Sequence, residues 1–560
     1  MAVTTSSTPG GTYKHKRIRW LDVSESITGC LFILPAFIII GTFGLFPIGF
    51  AVYVSLHKWR ITPGRFVGLE NYAKSLDNLA YVAFFWLVAI ALFLVVRNLI
   101  RLMKNAQERQ DNPWPWLLPA LVTATGIAAF IRFVVILLPE ILGIADKVKG
   151  LERTQELFVQ LLGEAWRTPV VRTALWASLL VLLVGVGLAY LVSRLPKQIA
   201  HGTEYYTSLL TMLLLTGGAI LLGWFTWFEI QRAYAEALEA GGSLEIWAQV
   251  VTISAGFLLL LLSWLSWQSA SRRSSTFSMI IRLVAGVMLA VGAWVLIAEL
   301  PRVIAAGDKA WWQGLKVTVY YSVGTVPLQL GISLVLATLL FQNIRGKSLY
   351  RLLYFLPYIT PAVAAAAVFR VLFSSRPTGP INSLLAKLGF DSLGWLAEPR
   401  GIFALIAGTD ISLPDWAVGP SLALVVIIIY NIWSYIGYDT VIFLAGLGGI
   451  PGELYEAASI DGAGRWAQFR NITLPLLSPT TYFLTLLAVI GTFKAFNHVW
   501  VLRTGAALGT VDTASIVIFN EFNRNTRYGY AASLSFVLLG VILILTVINN
   551  RIAKERVFYG

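Results

Sequence analysis

Charge is scarce in this 560-residue chain: 13% of its residues are Asp, Glu, Lys or Arg, against 57% hydrophobic. Soluble domains carry roughly 25% charged residues, so the soluble globular class is excluded. Cysteine is nearly absent, and Cys30 alone rules out an internal disulfide. It lies in an apolar run and is expected to pack there. The four histidines, His15, His57, His201 and His498, lie far apart and show no metal-ligand spacing. Neither GxSxG nor HExxH occurs. RGKS at 345–348 lacks the P-loop glycine five positions before Gly346, where Phe341 stands. No catalytic apparatus is legible, and no cofactor or metal is expected to be held by this chain.

Long apolar runs are abundant instead. Runs of 20 or more residues recur from end to end, each enough to cross a hydrocarbon core of roughly 30 Å. They are continuously apolar rather than alternating, which excludes an outer-membrane barrel. The reading is an all-α polytopic membrane protein. The net charge of +14 reflects basic cytoplasmic loops rather than a nucleic-acid partner. The first apolar run, about 27–56, is too long for a signal-peptide core, and no small-x-small cleavage site follows it. A retained first span with a cytoplasmic N-terminus is expected.

Twelve spans can be drawn, near 27–56, 80–100, 115–138, 172–193, 206–228, 246–267, 279–299, 315–341, 350–373, 420–447, 477–502 and 530–549. With the N-terminus inside, the loops after even-numbered spans should hold the basic residues. They do: Arg97, Arg101, Lys104 and Arg109, then Arg194 and Lys197, then Arg272, Arg273 and Arg282, then Arg345, Lys347 and Arg351. The RIAKER tail is basic as well. The loop after span five instead carries Glu229, Glu236, Glu239 and Glu245 against Arg232. Lys58, Arg60 and Arg65 after span one fit less well. Both termini are thereby expected in the cytoplasm of a bacterial or archaeal cell, facing inward from its plasma membrane.

The same parity puts ELYEAASIDGAGRWAQFRNITLPLLSP, 453–479, on the inner face. ELYEAAS is a good helix former with Leu454, Ala457 and Ala458 on adjoining turns. Asp461-Gly462 interrupts it, since Gly tolerates the positive φ of a sharp turn. A second short helix follows with Trp466, Phe469 and Ile472 as one apolar stripe. Pro475 is expected to end it and start the next span. Two such helices could form a knob for a groove in a soluble partner or lie on the membrane surface. Few basic residues, with Glu453, Glu456 and Asp461 in front, disfavour an anionic leaflet.

The segment resembles the EAA loop of ABC importer permeases. The matching positions are Glu456, Ala457, Ala458, Asp461, Gly462, Ala463, Phe469, Ile472, Thr473, Leu474, Pro475, Leu476, Leu477 and Pro479. Neighbouring stretches are similar to the carbohydrate-uptake, maltose-type branch: 47–77, 326–373, 492–505 and the closing span. The resemblance implies a coupling helix seated in a cleft of a cytoplasmic ATPase subunit. Glu456 would pair there with a basic group, and Gly462 would permit the close-fitting turn. It implies further partners: two copies of that ATPase, which use ATP and Mg, a second permease subunit, an extracellular or periplasmic solute-binding protein, and membrane lipid.

A six-helix type I importer core is therefore expected, with about six inserted helices. Its parts would be a tail (1–26), a first core span with its external loop (27–78), an insertion (79–309), the core permease domain (310–549) with its loop at 450–479, and a second tail (550–560). The insertion is expected to act as a lateral scaffold or accessory subunit. An even number of inserted spans leaves the core topology unchanged. Intramembrane polar groups mark candidate pathway residues. Asp439 and Lys494 are the charged ones. Asn431, Tyr435, Tyr438, Phe496 and Asn497 would add the aromatic faces and hydrogen-bonding groups suited to a sugar, while the same groups can also join helices to one another. Arg132 and Arg370 are expected to pair helices or snorkel. Competing readings are a glycerol-phosphate or polyamine cargo, and a twelve-span secondary transporter, which would show two related halves.

Overall fold

The computed structural model describes residues 20–148, 154–194, 201–239, 246–271, 276–342, 345–408, 414 and 417–556. The N-terminal basic stretch through Arg19, with His15, and likewise Lys197, Arg272 and Arg273, lie outside the described residues, as does the side chain of Cys30. Among the described residues the chain is helical, with two isolated β-bridges, His57 to Phe66 and Gly401 to Ser421.

Among the described residues, ten helices are long and apolar enough to cross a membrane. They are α1 (Leu31–Ser55), α2 (Leu79–Arg109), α3 (Trp114–Leu142), α4 (Pro169–Ser193), α5 (Gly202–Glu239), α6 (Ile246–Gln268), α7 (Ser278–Ala306) and α8 (Lys309–Phe341), followed near the end of the chain by Leu422–Gly448 and Tyr528–Ala553. Two bent pairs raise the number to twelve if each counts as one span. The first is α9 (Lys347–Ile359) with α10 (Ala362–Leu372), which turn by 95°. Helix α11 (Leu422–Gly448) follows, then α12 (Gly452–Ile460). The second pair is α13 (Arg465–Leu476) with α14 (Ser478–Phe493), bent by 61°. The chain closes with α15 (Asn497–Leu502), α16 (Ala514–Asn523) and α17 (Tyr528–Arg556).

The bends revise two of the expected spans. The run 350–373 is not one straight helix, because Pro361 pushes Thr360 into the extended region (ψ 132°) and stops α9. The run 477–502 ends as a regular helix at Phe493, and Phe496 (φ −135°, ψ −62°) separates it from α15. Lys494 therefore lies at the helix end rather than inside a span.

Two packing units are apparent. Helix α8 runs through the second half of the chain, against α11, α14 and α16, while α9 covers α11 and α10 meets α15. Helix α17 joins α14, α16 and the last turns of α1. In residues 79–306, α6 pairs with α7, α3 with α4, and α2 with α5. A buried cluster made of Leu69, Tyr81, Ile230, Ile253, Leu296, Trp311, Val517 and Leu534 ties the two units together. Asp308 reinforces that joint: it caps α8 by accepting from the amides of Ala310 and Trp311, and it accepts from the Tyr530 hydroxyl at 2.6 Å. Most other large apolar side chains of α1–α7 face outward, as lipid-covered helices require.

Candidate functional site: an exposed elbow and an intramembrane aromatic cluster

Helix α12 opens after Pro451 with Glu453 in its first turn, where the helix dipole favours a carboxylate. Its end is a closed local motif. Gly462, at φ +77°, donates to the Ser459 carbonyl at 3.1 Å, and Ala463 donates to the Ala458 carbonyl at 2.8 Å. This paired pattern is the Schellman cap, which needs a left-handed residue at the position of Gly462. The turn predicted at Asp461-Gly462 is where the chain breaks.

Side chains then brace α12 against α13. The hydroxyls of Tyr455 and Thr473 share a hydrogen bond of 2.9 Å, and Gln468 Nε2 donates to Ser459 Oγ at 2.9 Å and to the Ala463 carbonyl at 3.1 Å. Trp466 stacks on Phe469 at 5.6 Å. The helix does not end at Pro475: it runs on to Leu476 through a π turn at Phe469–Thr473. A proline removes one backbone donor, and a widened turn one step before it absorbs the mismatch.

The braced elbow leaves an apolar tip uncovered. Ile460 is 87% exposed, Trp466 71% and Leu454 42%. Glu456, Ala457, Asp461, Gly462 and Leu474 are exposed as well, while Ala458, Ala463, Phe469, Ile472 and Pro475 are half-buried and shape the elbow from within. The Trp466, Phe469, Ile472 stripe is therefore split: its first member projects and the other two support it.

The candidate pathway residues divide among different surroundings. Tyr435 and Tyr438 of α11 meet Tyr358 of α9, which stacks on Tyr438 at 4.7 Å and meets Tyr435 edge-on at 5.6 Å. Asn431 and Asp439 point elsewhere. Gln329 of α8 donates to Asp439 Oδ2 at 2.6 Å, and Asn431 donates to Gln329 Oε1 at 3.0 Å. All three are buried. Asn431, expected among the pathway residues, here joins α11 to α8 through its amide nitrogen. Lys494 and Asn497 are exposed. Phe496 stacks on Trp500 and lines a cavity of about 550 Å³ with Trp59, Phe519 and Tyr528.

Two members of these clusters escaped the sequence reading. Gln329 was detectable as a lone amide in an apolar run, costly in lipid without a partner. Tyr358 carried no such signal. His498, one of the scattered histidines, shares a 2.7 Å hydrogen bond with the Tyr321 hydroxyl and stacks on Tyr430, again joining helices. Arg370 donates to the Val501 carbonyl at 3.4 Å. Among the described residues no cluster of His, Cys, Asp or Glu could hold a metal ion.

Comparison with known proteins gives this architecture a lineage. Residues 329–556 match the family model described as "Binding-protein-dependent transport system inner membrane component". The lactose transport system permease protein LacF of Rhizobium radiobacter is 32% identical over 253 residues, 44% of this chain and 78% of the relative. The probable ABC transporter permease protein YesP of Bacillus subtilis is 34% identical over 257 residues, 45% of this chain and 75% of the relative. The sn-glycerol-3-phosphate transport system permease protein UgpA of Agrobacterium fabrum is 32% identical over 256 residues, 45% of this chain and 79% of the relative. The chain belongs to the binding-protein-dependent transport system inner membrane components: it is a multi-pass permease subunit of an ABC importer.

Proposed function

We propose that this subunit forms, with a second permease, the membrane path for a sugar or oligosaccharide, and that its elbow is gripped by a separate ATPase. Two ATPase subunits use ATP and Mg beneath the membrane; this chain carries no hydrolytic chemistry of its own. A solute-binding protein delivers cargo from outside. The observation that carries the reading is the braced elbow with its uncovered Ile460, Trp466 and Leu454, an apolar tip on the basic, cytoplasmic side. Arg97, Arg101, Lys104, Arg345, Lys347 and Arg351 favour that orientation, with both termini inside. ATP moves the equilibrium only through its differential affinity for the closed ATPase pair, so the elbow must transmit closure as rigid-body motion. Residues 79–309 are an insertion into the six-helix core.

Cargo is assigned by chemistry and lineage. Tyr358, Tyr435 and Tyr438 present aromatic faces that suit the C–H surfaces of a sugar, and LacF is named for lactose. Lys494 and Asn497, both exposed, support a second reading, an anionic cargo of the glycerol-phosphate kind for which UgpA is named.

The test is Gly462→Val in the reconstituted transporter. Gly462 has open space around it but sits at φ +77°, so a β-branched residue there strains only the backbone. Uptake is expected to fall at least about tenfold while ATP hydrolysis by the ATPase persists, because one lost cap and a left-handed Val together cost about 2 kcal/mol. Uptake at the parent rate would refute the coupling role.

A further inference from the structure

The described part of α5 reaches across to the loop that follows α1. Glu229, 5% exposed, accepts from the Leu69 amide at 3.2 Å. One turn earlier Phe225 meets Phe66 at 6.1 Å. Between them the loop makes a tight turn at Gly68, φ +56°, packed so closely that a Cβ there would lie 2.3 Å from the Glu229 carboxyl carbon. This turn is wired to Trp59. Val67 and Gly68 both donate to the Leu56 carbonyl, Lys58 donates to the Arg65 carbonyl, and Gly529 donates to the carbonyl of Trp59. Trp59 in turn meets Phe50 edge-on at 5.8 Å and walls the cavity of about 550 Å³ that also holds Phe496, Phe519, Phe522 and Tyr528.

We infer that residues 79–309 act on the transport core through Glu229, a positioning residue that pins the Val67–Leu69 turn and so holds Trp59 as the wall of the aromatic cavity. A buried amide is costly to leave without an acceptor, and this bond joins segments 160 residues apart. Phe225 adds a second contact to the same turn. The helices before α8 are thereby more than a lateral scaffold: through this turn they hold one wall of the cavity in place. The inference rests on the permease reading only for the use to which that cavity is put.

The experiment uses the full chain in nanodiscs, with Cys30→Ser removing the native thiol and Ala532→Cys placing a single reporter in the cavity wall. Its labelling by a membrane-impermeant maleimide is timed. Loss of the pin should raise the rate about tenfold in Glu229→Ala, by the worth of one buried hydrogen bond, and likewise in Gly68→Ala, whose methyl displaces the carboxyl group. Glu229→Gln keeps the acceptor and should stay within about twofold of the parent. Ser263→Ala removes a bond between α6 and α7 remote from the turn and should change nothing. Labelling at the parent rate in a folded Glu229→Ala variant, or Gln as fast as Ala, overturns the inference. Should Glu229→Ala fail to fold, Phe225→Ala carries the test, with a smaller rise expected and an unchanged rate again overturning it. Neither ATP nor cargo is needed, so failure here is distinct from failure of the coupling reading, which Gly462→Val probes.

Discussion

Gly437 of α11 lies directly against the main chain of α9. A Cβ added there would lie 1.8 Å from the Tyr354 carbonyl oxygen and 2.4 Å from its carbonyl carbon. Carbon and oxygen settle at about 3.3 Å or beyond, so Gly437→Ala must drive the two backbones apart by about 1.5 Å. The neighbour is main chain, which cannot turn aside as a side chain would. Overpacking costs about 1–3 kcal/mol, and this case belongs at the upper end. The displacement also carries off Tyr358, one turn beyond Tyr354, and loosens its 4.7 Å stack on Tyr438, worth about 1 kcal/mol more. A total of about 3–4 kcal/mol is expected. The assay is the thermal aggregation midpoint in detergent, beside uptake in vesicles. Gly448→Ala is the control: it lies on the same helix with nothing within 4 Å, so the better helix propensity of Ala should leave it neutral or slightly stabilised. Equal stability and uptake for the two variants would refute the close approach.

The other predictions concern buried and external polar groups. Gln329→Leu strips Asp439 and Asn431 of their shared partner and should destabilise by about 3 kcal/mol or more, whereas Asp439→Asn keeps an acceptor and should cost about 1 kcal/mol or less; detergent melting curves compare them. In the segment between α10 and α11, Arg400 donates to both Glu398 oxygens, at 2.9 and 3.1 Å, and these bonds hold the Glu398 carboxyl below its usual range. A carboxyl lowered in the folded state stabilises above its unfolded pKa and loses that contribution progressively as pH falls from that value through the depressed one. Hydrogen exchange around 398–401, relative to its intrinsic rate, should thus stay slow above the ordinary carboxylate range and quicken as pH falls from that range through the depressed value. Arg400→Gln should move that quickening up in pH, and an unchanged profile would contradict the pairing.

Some of this protein was legible one segment at a time. The elbow is the best case: a positive-φ Gly, the helix formers before it and the aromatic stripe after it act over a handful of residues, and their meaning survives without knowledge of the fold. The bend at Thr360-Pro361 was equally local, yet the hydropathy of 350–373 masked it, because composition along a run reports burial in lipid and not direction. The partner of Asn431 was illegible for a different reason. An amide in an apolar span must find a partner, but which face of α11 it occupies depends on α8 standing beside it, 102 residues away in sequence.

By itself, the sequence determined that the chain lives in a membrane, roughly how many times it can cross, which end of most crossings is basic, and where the elbow breaks. Those properties follow from hydropathy, loop charge and backbone preference, all short-range. Only the tertiary structure decided that Gln329 serves Asp439, that Tyr358 completes the tyrosine cluster, that Gly437 must lack a side chain, and that Glu229 reaches Leu69. In lipid every helix face is equally apolar, so side-chain pattern says little about neighbours. Partners are selected when helices pack, and that choice is a property of the whole assembly of spans.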